Sequence, residues 1–190
     1  TPLMMKVPRI KGGDDPATIV GFEVEQMIMP TLSGPHVPKF IAKGDFTRQP
    51  YIVMEHVPGP SLRARFDAAP LPLDEVVQVG IKVATALHDL HRQHVVHLDV
   101  KPSNIMFRRN ADGSQAEAVL VDFGLSRHDL LPDLLDEEFE LPMGTGPYMS
   151  PEQVQFVRND PRSDLFALGV LLYHFTTGER PYGSPDTVRG

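Results

Sequence analysis

The fold of this protein is decided by the stretch HLDVKPSN, which occupies residues 97–104. It places a carboxylate, an ammonium group and an amide within six residues, between a helical pattern and a short apolar run. We therefore expect a loop that directs three polar groups to one reacting centre. Another carboxylate, Asp122, begins the sequence DFG eighteen residues after Asn104. Because Mg²⁺ prefers oxygen ligands and takes only one or two from protein, Asn104 and Asp122 are a candidate metal pair.

The composition is that of an ordinary globular chain, with 190 residues of which 41% are hydrophobic and 23% are charged. The net charge of −7 argues against nucleic-acid binding, because a basic surface supplies most of that affinity. The absence of cysteine excludes disulfides, thiolate metal sites and cysteine nucleophiles. The longest apolar stretch, residues 165–175, is shorter than the roughly 20 residues of a membrane helix. We expect no membrane segment within this chain.

Hydrophobic periodicity divides the chain into a first part with short strands and one helix, and a mainly helical remainder. We predict strands at 3–7, 37–42, 51–55, 105–107 and 119–122, and helices from Asp15 to about Met29, from Leu73 to about Gln93 and at 163–177. Between the two parts, prolines and a glycine break the chain near residues 57–61. This order predicts an α+β protein of two unequal lobes, residues 1–57 and residues 58–190.

Further short motifs follow the same order as those of one known family. HLD at 97–99 is similar to that family's His-Arg-Asp, and Asn104 lies five residues after Asp99, as the family motif requires. DFG at 122–124 is identical to the family motif, and YMSPE at 148–152 is similar to the end of its activation segment. The sequence therefore resembles the eukaryotic-type (Hanks-type) serine/threonine protein kinases. The resemblance implies a two-lobe fold with a small β-rich N-lobe and a larger, mainly helical C-lobe.

Two residues of the first lobe take their meaning from this resemblance. Lys6 occupies the lysine position of the family's Val-Ala-Ile-Lys strand, and Glu25, nineteen residues later, fits the helix glutamate that pairs with it. Helical spacing from Phe22 and Met29 independently places Glu25 on an apolar stripe, where an unpaired charge would be costly. Both arguments lead to a Lys6–Glu25 pair.

The resemblance implies a role in phosphoryl transfer from ATP for each polar site residue. Lys6 would hold the α- and β-phosphates, positioned by Glu25. Asp99 would orient the substrate hydroxyl and accept its proton, and Lys101 would neutralise charge on the moving group. Asn104 and Asp122 would hold Mg²⁺. Because the Lys101 position separates serine/threonine from tyrosine kinases in this family, the expected partner is a protein substrate with a Ser/Thr acceptor.

The adenine site is expected where the two lobes join. In the family, the connector binds adenine through its backbone, which here corresponds to Glu55, His56 and Val57. Met54 would guard the pocket behind the adenine, and Met106 would form part of its floor. The expected cofactors are therefore ATP and Mg²⁺.

The activation segment, residues 122–152, departs from the family pattern in two related ways. Leu98 replaces the arginine that commonly docks a phosphate on this segment. Between Ser126 and Thr145 there is no Ser, Thr or Tyr, whereas six acidic residues lie there: Asp129, Asp133, Asp136, Glu137, Glu138 and Glu140. We predict that activity does not require phosphorylation of this segment.

The family pattern contains elements before the lysine strand and after the central helix. The family's glycine-rich loop precedes the lysine strand, and its last helices follow the central helix, so we expect a kinase domain truncated at both ends. We also expect the 190-residue piece alone to be weak or inactive. A kinase domain of this kind is expected in the cytoplasm. The sequence does not decide whether the parent protein has a membrane anchor elsewhere.

Two other functions are compatible with parts of this pattern. One is a pseudokinase or nucleotide-binding scaffold, although a scaffold has no physical need for Lys6, Asp99, Asn104 and Asp122 together. The other is a small-molecule phosphotransferase of the kinase-like group, such as the aminoglycoside or choline kinases. The sequences Lys-Pro at 101–102 and Ser-Pro-Glu at 150–152 fit protein kinases better.

Overall fold

The computed structural model describes residues 2–8, 16–110, 112, 115–139 and 141–183. The predicted helix start at Asp15 and the acidic residue Glu140 lie outside the described residues, as do both chain ends.

The first lobe is a three-stranded antiparallel sheet with one helix against it. The strands are β1 (Leu3–Lys6), β2 (Phe40–Gly44) and β3 (Tyr51–Glu55), and β3 lies in the middle. Alternation along β3 buries Ile52 and Met54, as expected for a strand with one face on the core. Helix α1 (Pro16–Ile28) buries Phe22, Val24 and Ile28 in the same core.

The second lobe is mainly helical, with short strands on either side of residues 97–104. Its elements are α2 (Arg63–Phe66), α3 (Leu73–His91), β4 (Val95–Val96), β5 (Ile105–Arg109), β6 (Gln115–Leu120), β7 (Arg127–His128), α4 (Leu134–Glu138), α5 (Pro151–Val154) and α6 (Arg162–Thr177). Strands β5 and β6 form one antiparallel pair, and β4 and β7 form another. The β4–β7 pair joins two parts of the chain. One lies just before residues 97–104, which correspond to the catalytic loop of the family that the sequence resembles, and the other lies just after DFG.

Helices α3 and α6 form the centre of this lobe. Helix α3 buries Val79, Val83 and Leu87 at helical spacing, and α6 buries Leu171 and Phe175. Both helices contribute to one continuous hydrophobic core that also includes residues of the first lobe. The catalytic loop therefore rests on a packed base.

Two predicted strands differ from the observed ones for local reasons. The strand predicted at 37–42 is β2 at Phe40–Gly44, because Pro38 has no N–H to donate and pairing begins after it. The strand predicted at 119–122 is β6 at Gln115–Leu120. It ends before Asp122, whose φ of 66° belongs to a left-handed conformation and not to a strand.

The longer elements agree closely with the sequence predictions, whereas the short helices were missed. Helix α3 ends at His91 and not near Gln93, because residues 92–94 form a turn in which His94 has a φ of 63°. The unpredicted helices α2, α4 and α5 have only four or five residues each, too few to show a helical period.

The architecture confirms the predicted α+β fold class, with a sheet-containing first lobe and a helical second lobe. Among the described residues, no helix is both long enough and apolar enough to span a bilayer.

Candidate active site

The catalytic loop is held in place by one buried carboxylate from α6. Asp164 accepts hydrogen bonds from the backbone N–H groups of His97 and Leu98, both at 2.8 Å, and lies 2.8 Å from Nε2 of His91. It is 1% exposed, so its charge is supported by these donors and not by water.

The backbone conformation before Asp99 is unusual and is itself supported. Leu98 has a φ of 61°, a left-handed conformation that is uncommon for residues other than glycine. Its carbonyl accepts a hydrogen bond from Nε2 of Gln153 at 2.9 Å. His97 lies beneath the loop, where its Nδ1 accepts from the Asp99 N–H at 3.3 Å and its Nε2 donates to the Val121 carbonyl at 3.1 Å. This residue is thus a structural support, as its sequence position indicates.

The Asp99 side chain is fixed by three groups. Its Oδ1 accepts from the hydroxyl of Thr145 at 2.6 Å, and its Oδ2 accepts from Nδ2 of Asn104 at 2.9 Å. The Lys101 ammonium group lies 2.7 Å from Oδ2 and donates to the Thr145 hydroxyl at 3.0 Å. A carboxylate that is buried and held in one orientation is suited to orient a reacting hydroxyl.

Asn104 and Asp122 present the oxygen atoms that a magnesium ion would require. Both amide hydrogens of Asn104 have acceptors on Asp99, namely its backbone oxygen at 3.0 Å and its Oδ2. In this orientation Oδ1 of Asn104 is an acceptor; it takes a hydrogen bond from the Ser103 hydroxyl at 3.2 Å and has a second lone pair for a cation. The Asp122 side chain is 50% exposed and can reach a ligand outside the protein. One amide and one carboxylate fit a cation that takes most of its ligands from phosphate and water.

Lys6 joins β1, α1 and the DFG turn through ion pairs. Its ammonium group contacts Oε2 of Glu25 and lies 2.9 Å from Oδ1 of Asp122. Glu25 also accepts from the backbone N–H of Phe123 at 3.4 Å. The pair predicted from the sequence is therefore formed, and it is anchored to the turn that carries Asp122.

The pKa values of these groups reflect burial and mutual attraction. Burial by itself lowers the pKa of Lys6, but the carboxylates of Glu25 and Asp122 outweigh it and raise the pKa. Burial raises the pKa of Glu25 against the attraction of Lys6. For Asp122, burial acts to raise the pKa, but the charge of Lys6 holds it below the ordinary value. Lys6 and Asp122 are thus charged at neutral pH, as the binding of phosphates and a cation would need.

A cavity of about 500 Å³ opens beside these groups. Its described lining includes Lys6, Glu25, Asp99 and Asp122, together with residues of α1. Four ionisable side chains from four separate parts of the sequence, at positions 6, 25, 99 and 122, therefore face one cavity. Such a convergence of charged groups in a cavity is typical of an active site.

The residues predicted for the adenine site lie where the two lobes join. They are not among the described residues that line this cavity. Met54 and Val57 are buried, and Met106 is half-buried. Met106 belongs to β5, whose backbone is hydrogen-bonded to residues 58–62. Glu55 forms an ion pair with Arg108 of β5. The Arg108 hydrogen bonds lower the pKa of Glu55, with a further contribution from the Lys39 N–H. Sequence reasoning did not find Arg108, because nothing local connects residues that lie 53 positions apart.

Known proteins that are similar to this chain are protein kinases. The protein kinase domain family matches residues 9–189 of the chain. Serine/threonine-protein kinase PknL of Mycobacterium bovis is 34% identical over 182 residues, which cover 95% of this chain and 44% of that protein. Probable serine/threonine-protein kinase PknB of Lactococcus lactis is 29% identical over 185 residues, covering 97% of this chain and 28% of that protein.

A third relative, probable serine/threonine-protein kinase CPE1738 of Clostridium perfringens, is 34% identical over 170 residues, covering 88% of this chain and 24% of that protein. The chain thus spans less than half the length of these three relatives. The family match covers nearly all of the chain. Lys6, Glu25, Asp99 and Asp122, which are far apart in the sequence, line one cavity. The chain belongs to the protein kinase domain family.

Proposed function

We propose that this chain is the catalytic core of an ATP-dependent protein serine/threonine kinase, which transfers the γ-phosphoryl group of ATP to a Ser or Thr hydroxyl. The observation that carries the proposal is the Asp99 carboxylate, held by Thr145, Lys101 and Asn104 beside the Lys6–Glu25 pair. Phosphoryl transfer depends chiefly on alignment and charge stabilisation, and these contacts would provide both. The kinase resemblance carries with it the expectation of a cytoplasmic location.

Each site residue has a part in this proposed reaction. Asp99 would orient the acceptor hydroxyl and take its proton, while Lys101 would neutralise charge on the transferred group. Lys6 would bind the α- and β-phosphates. Asn104 and Asp122 would hold Mg²⁺, which supplies charge neutralisation when bound. At the lobe junction, Glu55 and Val57 would bind adenine through their backbone groups, with Met54 and Met106 beside the ring.

The alternatives are disfavoured by specific contacts. A nucleotide-binding scaffold gains nothing from a carboxylate as firmly oriented as Asp99. A small-molecule phosphotransferase does not need the link from Lys101 to Thr145, which ties the catalytic loop to the activation segment. The relatives, which carry the names of serine/threonine kinases, support the protein substrate.

The proposed kinase also needs no phosphate on its activation segment. Leu98, in place of the family's arginine, is 3% exposed and offers no charge to a phosphoryl group. The segment between Ser126 and Thr145 has no hydroxyl-bearing side chain to modify. Mass spectrometry of the active protein should find no phosphate on the activation segment, residues 122–152, and a phosphate there that turnover requires would contradict the proposal.

The full-length protein and its Asp99→Asn variant should be compared with labelled ATP, using generic protein substrates in one arm and aminoglycosides or choline in another. We expect label on Ser or Thr of protein and a loss of roughly 10²–10⁴-fold in the variant, with nucleotide binding retained. Equal label from both proteins would refute catalysis by Asp99. Nucleotide binding without transfer would favour the scaffold, and label only on the small molecules would favour the other phosphotransferase.

A further inference from the structure

One acidic residue of the activation segment differs from its neighbours in its contacts. The carboxylate of Asp133 lies 2.9 Å from Nε of Arg158 and 3.3 Å from Nε of Arg127. Its side chain is 14% exposed, and the two arginine side chains are 11% and 20% exposed. By contrast, Glu137 and Glu138 are exposed. Asp133 is thus a shielded anion between two cations, and not one more charge on a solvated face.

The two arginines connect this anion to the catalytic centre. Arg158 donates to the backbone carbonyl of Leu125 at 3.1 Å, directly after the DFG turn. Arg127 belongs to β7, which pairs with β4 just before the catalytic loop, and donates to the Leu131 carbonyl at 2.6 Å. The position of Asp133 therefore affects both chain segments that enter the active site.

Asp133 also begins a helix that reaches the first lobe. Its Oδ1 accepts from the Asp136 N–H at 3.4 Å and so caps α4, the helix that packs against α1. Helix α1 carries Glu25, the partner of Lys6. One side chain thereby links the activation segment, the DFG turn and the helix that positions the phosphate-binding lysine.

We propose that Asp133 is a positioning residue that orders the activation segment from within. Its carboxylate gives Arg127 and Arg158 the anionic partner that an added phosphoryl group would otherwise have to supply. The proposal rests on the proposed kinase function and identifies the group that makes phosphorylation of this segment unnecessary. It requires no contact between Asp133 and substrate.

The test compares Asp133→Asn with Glu138→Gln in the full-length protein. Both variants remove one negative charge from the same segment, and asparagine keeps the ability to cap α4. We expect Asp133→Asn to lower kcat/KM for a protein substrate by about tenfold or more, with little change in the KM for ATP. Hydrogen exchange of the amides in 125–139 should become faster in this variant only. The control should match the parent in both measurements.

A second pair of variants separates the ion pair from general loss of stability. Arg158→Met should change kcat/KM and exchange in the same direction as Asp133→Asn. The double variant should lose less than the sum of the two single losses, because both single variants remove the Asp133–Arg158 ion pair. Additive losses of kcat/KM in the double variant would overturn the proposal. So would an Asp133→Asn variant whose exchange rates and kcat/KM are within about twofold of those of the unsubstituted protein. If the parent transfers no phosphate, the proposed function fails, and the exchange measurement still decides the role of Asp133.

Discussion

The ammonium group of Lys6 lies between two carboxylates that differ in exposure. The side chain of Glu25 is 2% exposed, whereas that of Asp122 is 50% exposed. Glu25 therefore depends on Lys6 for its stabilisation, while Asp122 has water as a second partner. This inequality suits a site in which Asp122 binds a cation and Glu25 remains a fixed support.

Replacing Lys6 by methionine should destabilise the protein, because Glu25 would be left as an unpaired buried charge. We expect a loss of about 2 kcal/mol near about pH 8, less than for a fully buried pair because Lys6 is partly exposed. Burial already raises the pKa of Glu25 and Lys6 opposes this effect, so in the variant the pKa rises further. The loss should shrink as the pH falls toward about 5, because the raised pKa of Glu25 favours its uncharged form.

Denaturant unfolding at the two pH values would measure this change. The double variant Lys6→Met with Glu25→Gln should recover part of the lost stability, because neither buried partner is then charged. An equal loss at both pH values would show that the charge of Glu25 is not responsible.

At the scale of elements, the decisive contact is the close approach of α1 to the DFG turn. A Cβ atom added at Gly21 would lie 3.0 Å from the carbonyl oxygen of Gly124, and one added at Gly124 would lie 3.2 Å from the carbonyl of Gly21. Both contacts are with backbone atoms, which cannot rotate away. Glycine at these positions permits the distance at which Glu25 reaches Lys6 and the Phe123 N–H.

The variant Gly21→Ala should push α1 away from the DFG turn by a few tenths of an ångström. We expect kcat/KM to fall by about tenfold, because the Lys6–Glu25 pair moves with the helix. The matched control is Gly169→Ala in α6, where an added Cβ meets nothing within 4 Å. There, alanine should stabilise the helix by up to about 1 kcal/mol without loss of activity. Steady-state kinetics and thermal unfolding of both variants would check this, and unchanged kinetics for Gly21→Ala would contradict it.

Across the whole molecule, the two lobes are joined by an ion pair beside the connecting segment. Glu55 lies at the end of β3 and Arg108 lies in β5, and their side chains are 13% and 23% exposed. The Lys39 N–H also donates to Glu55 at 3.3 Å. The connecting segment is therefore held to the second lobe by charge as well as by its backbone.

The lowered pKa of Glu55 makes the contribution of this ion pair depend on pH. A carboxyl group with a depressed pKa stabilises the folded state above its ordinary value of 4.5, and this stability is lost as the pH falls through the lower folded-state pKa. The variant Glu55→Gln should thus have a lower Tm than the parent near about pH 7, and the difference should vanish in acid.

The matched control for this prediction is Asp67→Asn, which removes the exposed ion pair between Arg63 and Asp67. Exposed pairs contribute little, so we expect almost no change in Tm at any pH. A constant Tm difference for Glu55→Gln across the pH range would show that packing, and not the charge of Glu55, accounts for the effect.

The sequence was sufficient to predict features that depend on local patterns, or on the intervals between the motifs of a known family. Helical periodicity placed Glu25 on the buried stripe of α1, and the intervals between motifs selected Lys6, Asp99, Asn104 and Asp122 for one site. The long helices and β3 followed from hydrophobic patterns that extend over several residues. The boundaries of shorter strands were predicted less well: β2 begins after Pro38, and β6 ends before the left-handed Asp122.

Only the tertiary structure decided which distant polar groups meet. The pairs Asp133–Arg158, Glu55–Arg108 and Gln153–Leu98 are 25, 53 and 55 residues apart, and other helices or strands lie between their members. The local sequence around a charge or an amide does not reveal such a distant partner, since the contact depends on where the whole core places the backbone. The sequence by itself therefore determined the family and the fold class, and it predicted the reacting groups. The folded chain decided how those groups are held and which acidic residue can support the activation segment.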